Sequence, residues 1–293
     1  MGGTSAPVLD TAVHDAGPGR AAFDWSRVAV YVIGLVAVAI TAVPVLYVVI
    51  GGFRTTGQIA ARPAAMPDPW VLTNYSEVLL SVRFWSQVAN STIVALATTV
   101  GVVLIGVMAA FVLARYTFRG RDALNTLFTL GLLFPITVAV LPLYLLLEDL
   151  HLIDSLLGVI IPQVAFALPM TILILVPFLR AIPVELEDAA AIDGTSGIGF
   201  FWRIALPLSV PGLMTVGVLA FVTSWNAYLL PLLVLNDPKS FTLPLGVQEF
   251  STQYSQDTAM VLAFTSLAML PALLFFTLAE RRIVGGLTGA VKG

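Results

Sequence analysis

Six stretches of this sequence contain no charged side chain, and each exceeds the ~20 residues with which a helix crosses the hydrocarbon core of a bilayer. They cover residues 28–53, 84–114, 123–147, 155–179, 204–236 and 258–279. Only 11% of the 293 residues are charged and 58% are hydrophobic, as in membrane proteins. Because these stretches lack the polar–apolar alternation of barrel strands, they predict an all-α protein with six transmembrane helices.

Positive charge predicts the orientation of these helices, since Lys and Arg concentrate in cytoplasmic segments. Ten of the 14 Lys and Arg residues lie in the two termini and in the segments after the second and fourth stretches. The other four lie in the alternate segments. We therefore expect a multi-pass protein of the cell inner or plasma membrane with both termini in the cytoplasm.

The predicted domains follow the same divisions. They are a disordered cytoplasmic tail (1–27), transmembrane helix 1 (28–53), an extracytoplasmic loop (54–84), a core with transmembrane helices 2–6 (85–280) and a cytoplasmic C-terminal tail (281–293). The core contains a cytoplasmic segment at 181–211 and an extracytoplasmic loop at 236–257. The apolar run of helix 1 is too long for a cleavable signal, so we expect it to be retained as an anchor.

The sequence offers little for catalysis or metal binding. It has no cysteine, two separated histidines (His14 and His151) and no Gly-x-x-x-x-Gly-Lys-Ser/Thr motif that would hold ATP phosphates. We expect no enzyme activity, no metal site and, with a net charge of only −3, no nucleic-acid partner. No Asp, Glu, Lys, Arg or His lies inside the six stretches, where ion-driven carriers often place their proton or ion relays.

Polar and aromatic side chains interrupt the fifth stretch. Trp225, Asn226 and Tyr228 could offer stacking and hydrogen bonds to a polar substrate. On an ideal helix Trp225 and Tyr228 share a face, whereas Asn226 is turned about 100° from Trp225. The alternative interpretation is packing against a partner helix.

The cytoplasmic segment between the fourth and fifth stretches has an ordered pattern. Pro183 and the acids Glu185 and Glu187 favour a helix start, and Gly194 favours its end. Thr195 or Ser196 can cap a second short helix through Phe200, Phe201 and Trp202. Small alanines and this aromatic cluster indicate either a rigid knob that fits a partner or an amphipathic loop at the membrane surface.

This segment resembles the EAA loop of permease subunits of ATP-binding-cassette importers. The matching residues are Asp188-Ala189-Ala190, then Gly194, then Ile204, Leu206 and Pro207. Asp188 stands where the family has Glu, with Glu187 beside it. We refer to residues 181–211 as the EAA loop. The stretch "TSWNAYLLPLLVLNDPKSFTLPLGVQEF" and the ending "ERRIVGGLTGAVKG" resemble the shorter, six-span partner of maltose-type importers.

The resemblance implies a type I importer permease fold with a coupling helix between transmembrane helices 4 and 5. It implies that this helix docks on the ATPase through Glu187, Asp188, Ala189, Ala190 and Gly194, and that a bulky side chain at Ala190 blocks docking. The C-terminal tail would contact the ATPase as an extended segment through Leu287, Thr288, Gly289 and Lys292.

The resemblance also implies the partners. They are a second permease subunit, a dimer of ATPase subunits that holds ATP and Mg²⁺, and an extracytoplasmic sugar-binding protein that meets the 236–257 loop. The loop residues expected there are Gln248, Glu249, Phe250, Gln253 and Tyr254. The implied function is import of a di- or oligosaccharide by alternating access, without a cofactor on this chain. Glycerol-phosphate-like solutes, or more remotely an ion-coupled carrier, are the alternatives.

Overall fold

A computed structural model describes residues 25–250 and 256–290. The chain divides into two units, one ending at Leu46 and one beginning at Tyr47. In the first unit every described residue belongs to one helix, α1 (Trp25–Gly51). Nearly all described side chains of this unit are apolar and exposed, as expected for a helix surrounded by lipid.

The second unit is helical, with long helices joined by short ones. Its helices are α2 (Thr56–Ala61), α3 (Thr73–Leu80), α4 (Val82–Arg115), α5 (Arg121–Gly131), α6 (Ile136–Asp149), α7 (Leu156–Arg180), α8 (Val184–Ile192), α9 (Gly197–Phe200), α10 (Leu206–Leu208), α11 (Val210–Trp225), α12 (Leu229–Val234), α13 (Leu243–Gly246) and α14 (Thr258–Ala290). A π-helical turn, Phe201–Ala205, joins α9 to α10, and a 3₁₀ turn, Val247–Phe250, follows α13.

The pair α4–α7 forms the centre of this unit, with α11 packed against both. Gly101 of α4 lies against Val164 of α7, and Gly106 lies against Thr171. A Cβ atom at either glycine would overlap these side chains. Small residues at this interface therefore let the two helix backbones approach closely, which is how membrane helices gain packing energy.

Two of the six predicted membrane helices are bent rather than continuous. Among the residues that the structure describes, four helices are individually long and apolar enough to cross a membrane, and two bent pairs raise the number to as many as six. α5 and α6 meet at 102°, and the helical segment 197–208 meets α11 at 74°. Proline explains the first break, because Pro135 has no N–H to donate and restricts the residue before it.

The C-terminal part corrects one expectation. The resemblance implied an extended segment from Leu287, yet the α14 backbone is helical to Ala290. No proline follows Pro271, so each backbone N–H there can donate within a helix, and the three glycines of this segment weaken the helix without interrupting it. Leu287, Thr288 and Gly289 are therefore helical, and Lys292 lies outside the described residues, as does most of the predicted N-terminal tail.

Candidate functional site

The EAA loop opens with a short helix that a glycine terminates. α8 starts after Pro183, with Glu185 and Glu187 in its first turn, where the helix dipole favours acids. It ends at Ile192, and Gly194 has a φ of +77°, in the left-handed region that glycine enters without strain. The predicted helix and its glycine stop are confirmed, with Pro183 at the N-cap rather than at the first helical position.

Backbone hydrogen bonds hold this turn in place. The N–H of Gly194 donates to the carbonyl of Ala191 at 3.0 Å, and the N–H of Thr195 donates to that of Ala190 at 2.8 Å. This is the Schellman pattern of helix termination. Ser196 then caps α9, its hydroxyl accepting a backbone N–H at 3.2 Å. Of the two predicted caps, Ser196 is the one used.

A buried arginine at the end of α4 holds the EAA loop to the membrane helices. The Arg115 side chain is 5% exposed, and its Nε donates to Glu187 Oε2 at 3.0 Å. Its Nη1 donates to the carbonyl of Ile182 at 2.8 Å, and its guanidinium lies 5.6 Å from the ring centre of Phe200. One side chain thus contacts the segment before α8, α8 itself and α9. Glu187, predicted to meet the ATPase, is paired within this chain.

Several residues that the sequence suggested as a partner-facing knob instead face inward. Ala190 is 5% exposed, and Phe200 and Phe201 are 1% and 6% exposed. All three belong to a core cluster with the ends of α4 and α7, including Phe111 and Leu179. The expectation that the cluster offers area to a partner is wrong for Ala190, Phe200 and Phe201, because these side chains seat the loop on its own helices. The third aromatic residue, Trp202, is 51% exposed.

The outward face of the EAA loop is formed by other residues. Asp188, Ala189 and Gly194, which the resemblance implied as docking residues, are exposed. Ile192 and Ile198 are 86% and 74% exposed at the end of α8 and in α9. Sequence reasoning missed these two isoleucines. The available indication was their position, because one isoleucine lies on each side of the turn at Gly194. Neither side chain packs in the core.

Residues 248–250 of the 236–257 loop are fastened to other parts of the chain. Glu249 accepts hydrogen bonds from Arg83 at 3.2 Å and from Gln87 at 2.8 Å, and Gln248 donates to the Tyr228 hydroxyl at 2.8 Å. The Phe250 ring packs 5.3 Å from another phenylalanine ring. These residues anchor the loop rather than project from it. Gln253 and Tyr254 lie outside the described residues.

A second fastening holds the beginning of the same loop. The Asp154 carboxylate accepts the backbone N–H groups of Asn236 and Asp237, the latter at 2.9 Å. These two hydrogen bonds favour the charged form and lower the pKa of Asp154 below its ordinary value. The turn between α6 and α7 is thereby joined to the residues that follow α12.

The three residues predicted for a substrate path do not converge. α11 ends at Trp225, so the chain beyond it does not follow the ideal helix on which their directions were predicted. Trp225 is buried against Phe221, and with Asn226 it lines a cavity of about 350 Å³. Tyr228 lines a different cavity, of about 390 Å³, together with Gln163. Asn226 donates to a backbone carbonyl of α11 at 2.8 Å, which satisfies its amide locally.

The sequence is similar to those of known membrane transport proteins. The sequence model of the family described as "Binding-protein-dependent transport system inner membrane component" matches residues 102–284. The diacetylchitobiose uptake system permease protein NgcG of Streptomyces coelicolor is 33% identical over 85% of this chain and 83% of its own length. The trehalose transport system permease protein SugB of Mycobacterium tuberculosis is 34% identical over 89% of this chain and 96% of its own.

A solved structure shows the same fold. It is a crystal structure of a bacterial ABC transporter involved in the import of the acidic polysaccharide alginate, with a TM-score of 0.75. The match covers 88% of this chain and 95% of that one at 19% identity. Family match, relatives and fold agree with the helical membrane architecture. The chain therefore belongs to the family of inner membrane components of binding-protein-dependent transport systems.

Proposed function

We propose that this chain is the non-catalytic permease subunit of an ATP-driven importer of di- or oligosaccharides. It forms half of a translocation pathway with a second permease subunit. The pathway opens alternately to either side of the membrane, and both termini lie in the cytoplasm. ATP and Mg²⁺ bind a dimer of partner ATPase subunits, and an extracytoplasmic sugar-binding protein delivers the substrate.

The clamped EAA loop is the observation that carries this proposal. A loop transmits force only if it moves with the helices behind it, and Arg115 joins α8 and α9 directly to the end of α4. The exposed face, with Asp188, Ala189 and the two isoleucines, docks in the ATPase. Glu187 and Ala190 hold that exposed face in position through contacts within this chain. Leu287–Lys292 supplies a further ATPase contact.

The substrate class rests on the relatives. Their printed names give diacetylchitobiose and trehalose, two different disaccharides, which supports a glycan of similar size here. The choice among sugars is made mainly by the binding protein and the second permease. A glycerol-phosphate-like solute is the second candidate.

Reconstitution of the full complex tests the proposal. The chain is co-purified with its partner permease, ATPase and binding protein, and ATP hydrolysis is measured in proteoliposomes with the binding protein loaded in turn with disaccharides and with glycerol phosphate. We expect a disaccharide to stimulate hydrolysis. Stimulation by glycerol phosphate alone would select the second candidate, and stimulation by neither solute would overturn both candidates.

A further inference from the structure

The middle of the 236–257 loop is buried against α4. Most of residues 241–246 are buried, and Leu243 and Leu245 are both 0% exposed. Leu243 belongs to one core cluster with Ala95 of α4, and Leu245 belongs to another with Val94. We refer to residues 239–249 as the seated segment. Apolar burial of this kind holds a segment in place even though its sequence position suggests a surface loop.

Two polar side chains near the start of α4 hold the backbone of the seated segment. The Asn90 amide donates to the carbonyls of Lys239 and Phe241, at 2.9 and 3.0 Å. The Ser91 hydroxyl accepts the N–H of Leu243 at 2.8 Å, and this hydrogen bond is buried. Backbone groups of a buried, irregular segment need such partners, because they have no ladder of their own. Another helix supplies them here.

Gln87 extends this contact by one helical turn. It is 1% exposed, and its amide donates to Glu249 at 2.8 Å. Gly246 lies so close to the Gln87 side chain that a Cβ atom at this glycine would overlap it. Positions 87, 90 and 91 are three and four residues apart and therefore share one face of α4. This face holds the seated segment through buried contacts that do not depend on the exposed Arg83.

The opposite end of α4 holds the EAA loop. In addition to the contacts of Arg115, the Phe111 ring packs 4.9 Å from the ring of Phe201. Tyr116, the C-cap of α4, lies so close to Gly197 that a Cβ atom at this glycine would overlap its hydroxyl. Three side chains at one helix end thus contact the EAA loop.

One uninterrupted helix joins these two sets of contacts. α4 contains no proline, whereas α1, α7 and α14 each contain at least one. Sharp kinks arise mainly at prolines and π-helical turns, so the two ends of α4 are expected to move together. They lie roughly 38 Å apart from Asn90 to Arg115. Thr98 and Ser224 both donate to Gln163, which joins α4 to α7 and α11 between its ends.

We propose that Gln87, Asn90 and Ser91 are positioning residues that fix the seated segment to α4, so that contact with the binding protein is transmitted along α4 to the EAA loop. The inference rests on the proposed function, in which the binding protein acts on one side of the membrane and the ATPase on the other. These three side chains contact neither sugar nor ATPase. Their role is to make the seated segment and the EAA loop move as one body.

Substitutions that keep the fold but release the seated segment test this role. Asn90→Asp preserves side-chain size and removes the two N–H donors. In the reconstituted complex we expect basal ATP hydrolysis to stay within about twofold and its stimulation by the sugar-loaded binding protein to fall at least about fivefold. Ser91→Ala should act in the same direction, and Ser91→Thr, which keeps the hydroxyl, should restore stimulation. Thr92→Val is the matched control, because that hydroxyl donates to a carbonyl of its own helix at 2.7 Å.

The outcomes separate this inference from the proposed function. If the loaded binding protein stimulates the wild-type complex and the Asn90→Asp complex equally, the inference is overturned and the proposed function stands. Equal losses of basal and stimulated hydrolysis, or an equal loss of stimulation in Thr92→Val, indicate a structural role and also overturn it. If no sugar stimulates the wild-type complex, the proposed function fails first, and the inference fails with it.

A distance measurement tests whether the two ends of α4 move together. The chain has no cysteine, so Lys239→Cys and Glu185→Cys place one spin label on the seated segment and one on α8, both at exposed positions. Electron–electron resonance measures their separation in the complex with cysteine-free partners, without nucleotide and trapped with ATP and vanadate. We expect one narrow distance, equal in both states, and a broader distribution when Asn90→Asp is added. A shift of about 5 Å or more between the states, one helical turn, or an unchanged distribution in Asn90→Asp would overturn the proposal.

Discussion

The EAA loop and the 236–257 loop are both held by an arginine–glutamate pair, and the two pairs differ in burial. In the EAA loop, Arg115 is 5% exposed and Glu187 is 31% exposed. In the 236–257 loop, Arg83 is 57% exposed and Glu249 is 18% exposed. Water screens the second pair far more than the first. The comparison indicates that the EAA loop is fixed on its helices, whereas the Arg83–Glu249 contact of the 236–257 loop can release at little cost.

The largest expected effect is that of Arg115→Met. The substitution leaves Glu187 and the Ile182 carbonyl without their partner, and breaking such a buried pair should lower the free energy of unfolding by about 2–4 kcal/mol. Thermal unfolding of the purified complex and sugar-stimulated ATP hydrolysis measure the change. Glu187→Gln should cost less, because Arg115 keeps its carbonyl acceptor. If the Arg115→Met complex unfolds at an unchanged temperature and keeps full sugar-stimulated ATP hydrolysis, Arg115 does not hold the EAA loop as proposed.

Neighbouring alanines of α8 provide the second test. Ala190→Leu places extra volume in the core beneath the EAA loop and should lower the free energy of unfolding by about 1–3 kcal/mol. Ala189→Leu lies on the exposed face and should change it by less than about 0.5 kcal/mol. Ala189→Leu should nevertheless reduce ATPase stimulation, since it enlarges the docking face. If both variants lower the free energy of unfolding equally, the assignment of Ala190 to the core and of Ala189 to the exposed face is wrong.

Acid should loosen the 236–257 loop through Asp154. Its lowered pKa means that the charged form stabilises the fold at pH above the ordinary aspartate pKa of about 3.9, and that this contribution is lost as pH falls through the lower, folded-state pKa. The protection of the Asn236 and Asp237 amides, measured as their exchange rate relative to the intrinsic rate at each pH, should therefore fall below about pH 4. In Asp154→Ala, which has no acceptor, the protection should be low already at neutral pH and show no such step. A step of equal size in both proteins would assign it to another group.

The smallest effect is expected for Arg83→Met. Because the arginine is mostly exposed and Gln87 still donates to Glu249, the free energy of unfolding should fall by less than about 1 kcal/mol. The same unfolding assay applies, with Arg115→Met as the matched comparison. A loss as large as that of Arg115→Met would show that the two loops are held equally firmly.

Much of the fold could be predicted because its signals are local. The uncharged stretches predict membrane helices, and Gly194 predicts the end of α8, since each depends on a few neighbouring residues. The sharp bend between α5 and α6 could not be predicted from the sequence. Proline inside a membrane helix is compatible with a mild kink or a sharp turn, and the packing of neighbouring helices decides between them.

The candidate site was less predictable, because its contacts join distant segments. Arg115 and Glu187 are separated by 72 positions, and Gln163 and Ser224 by 61. No spacing rule connects such pairs. The sequence also contained no sign of which alanine of α8 faces inward, since three consecutive alanines carry no periodicity.

By itself the sequence determined that this protein is a bundle of membrane helices with one ordered cytoplasmic interruption. Hydrocarbon length and the need to satisfy the backbone in lipid leave few alternatives to helix. Only the tertiary structure decided which side chains of the EAA loop are buried. Ala190 and Phe200 lie in the core, Glu187 pairs with Arg115, and Asp188 and the two isoleucines are exposed. The reason is geometric, because burial depends on which distant helices meet, and no local pattern specifies that.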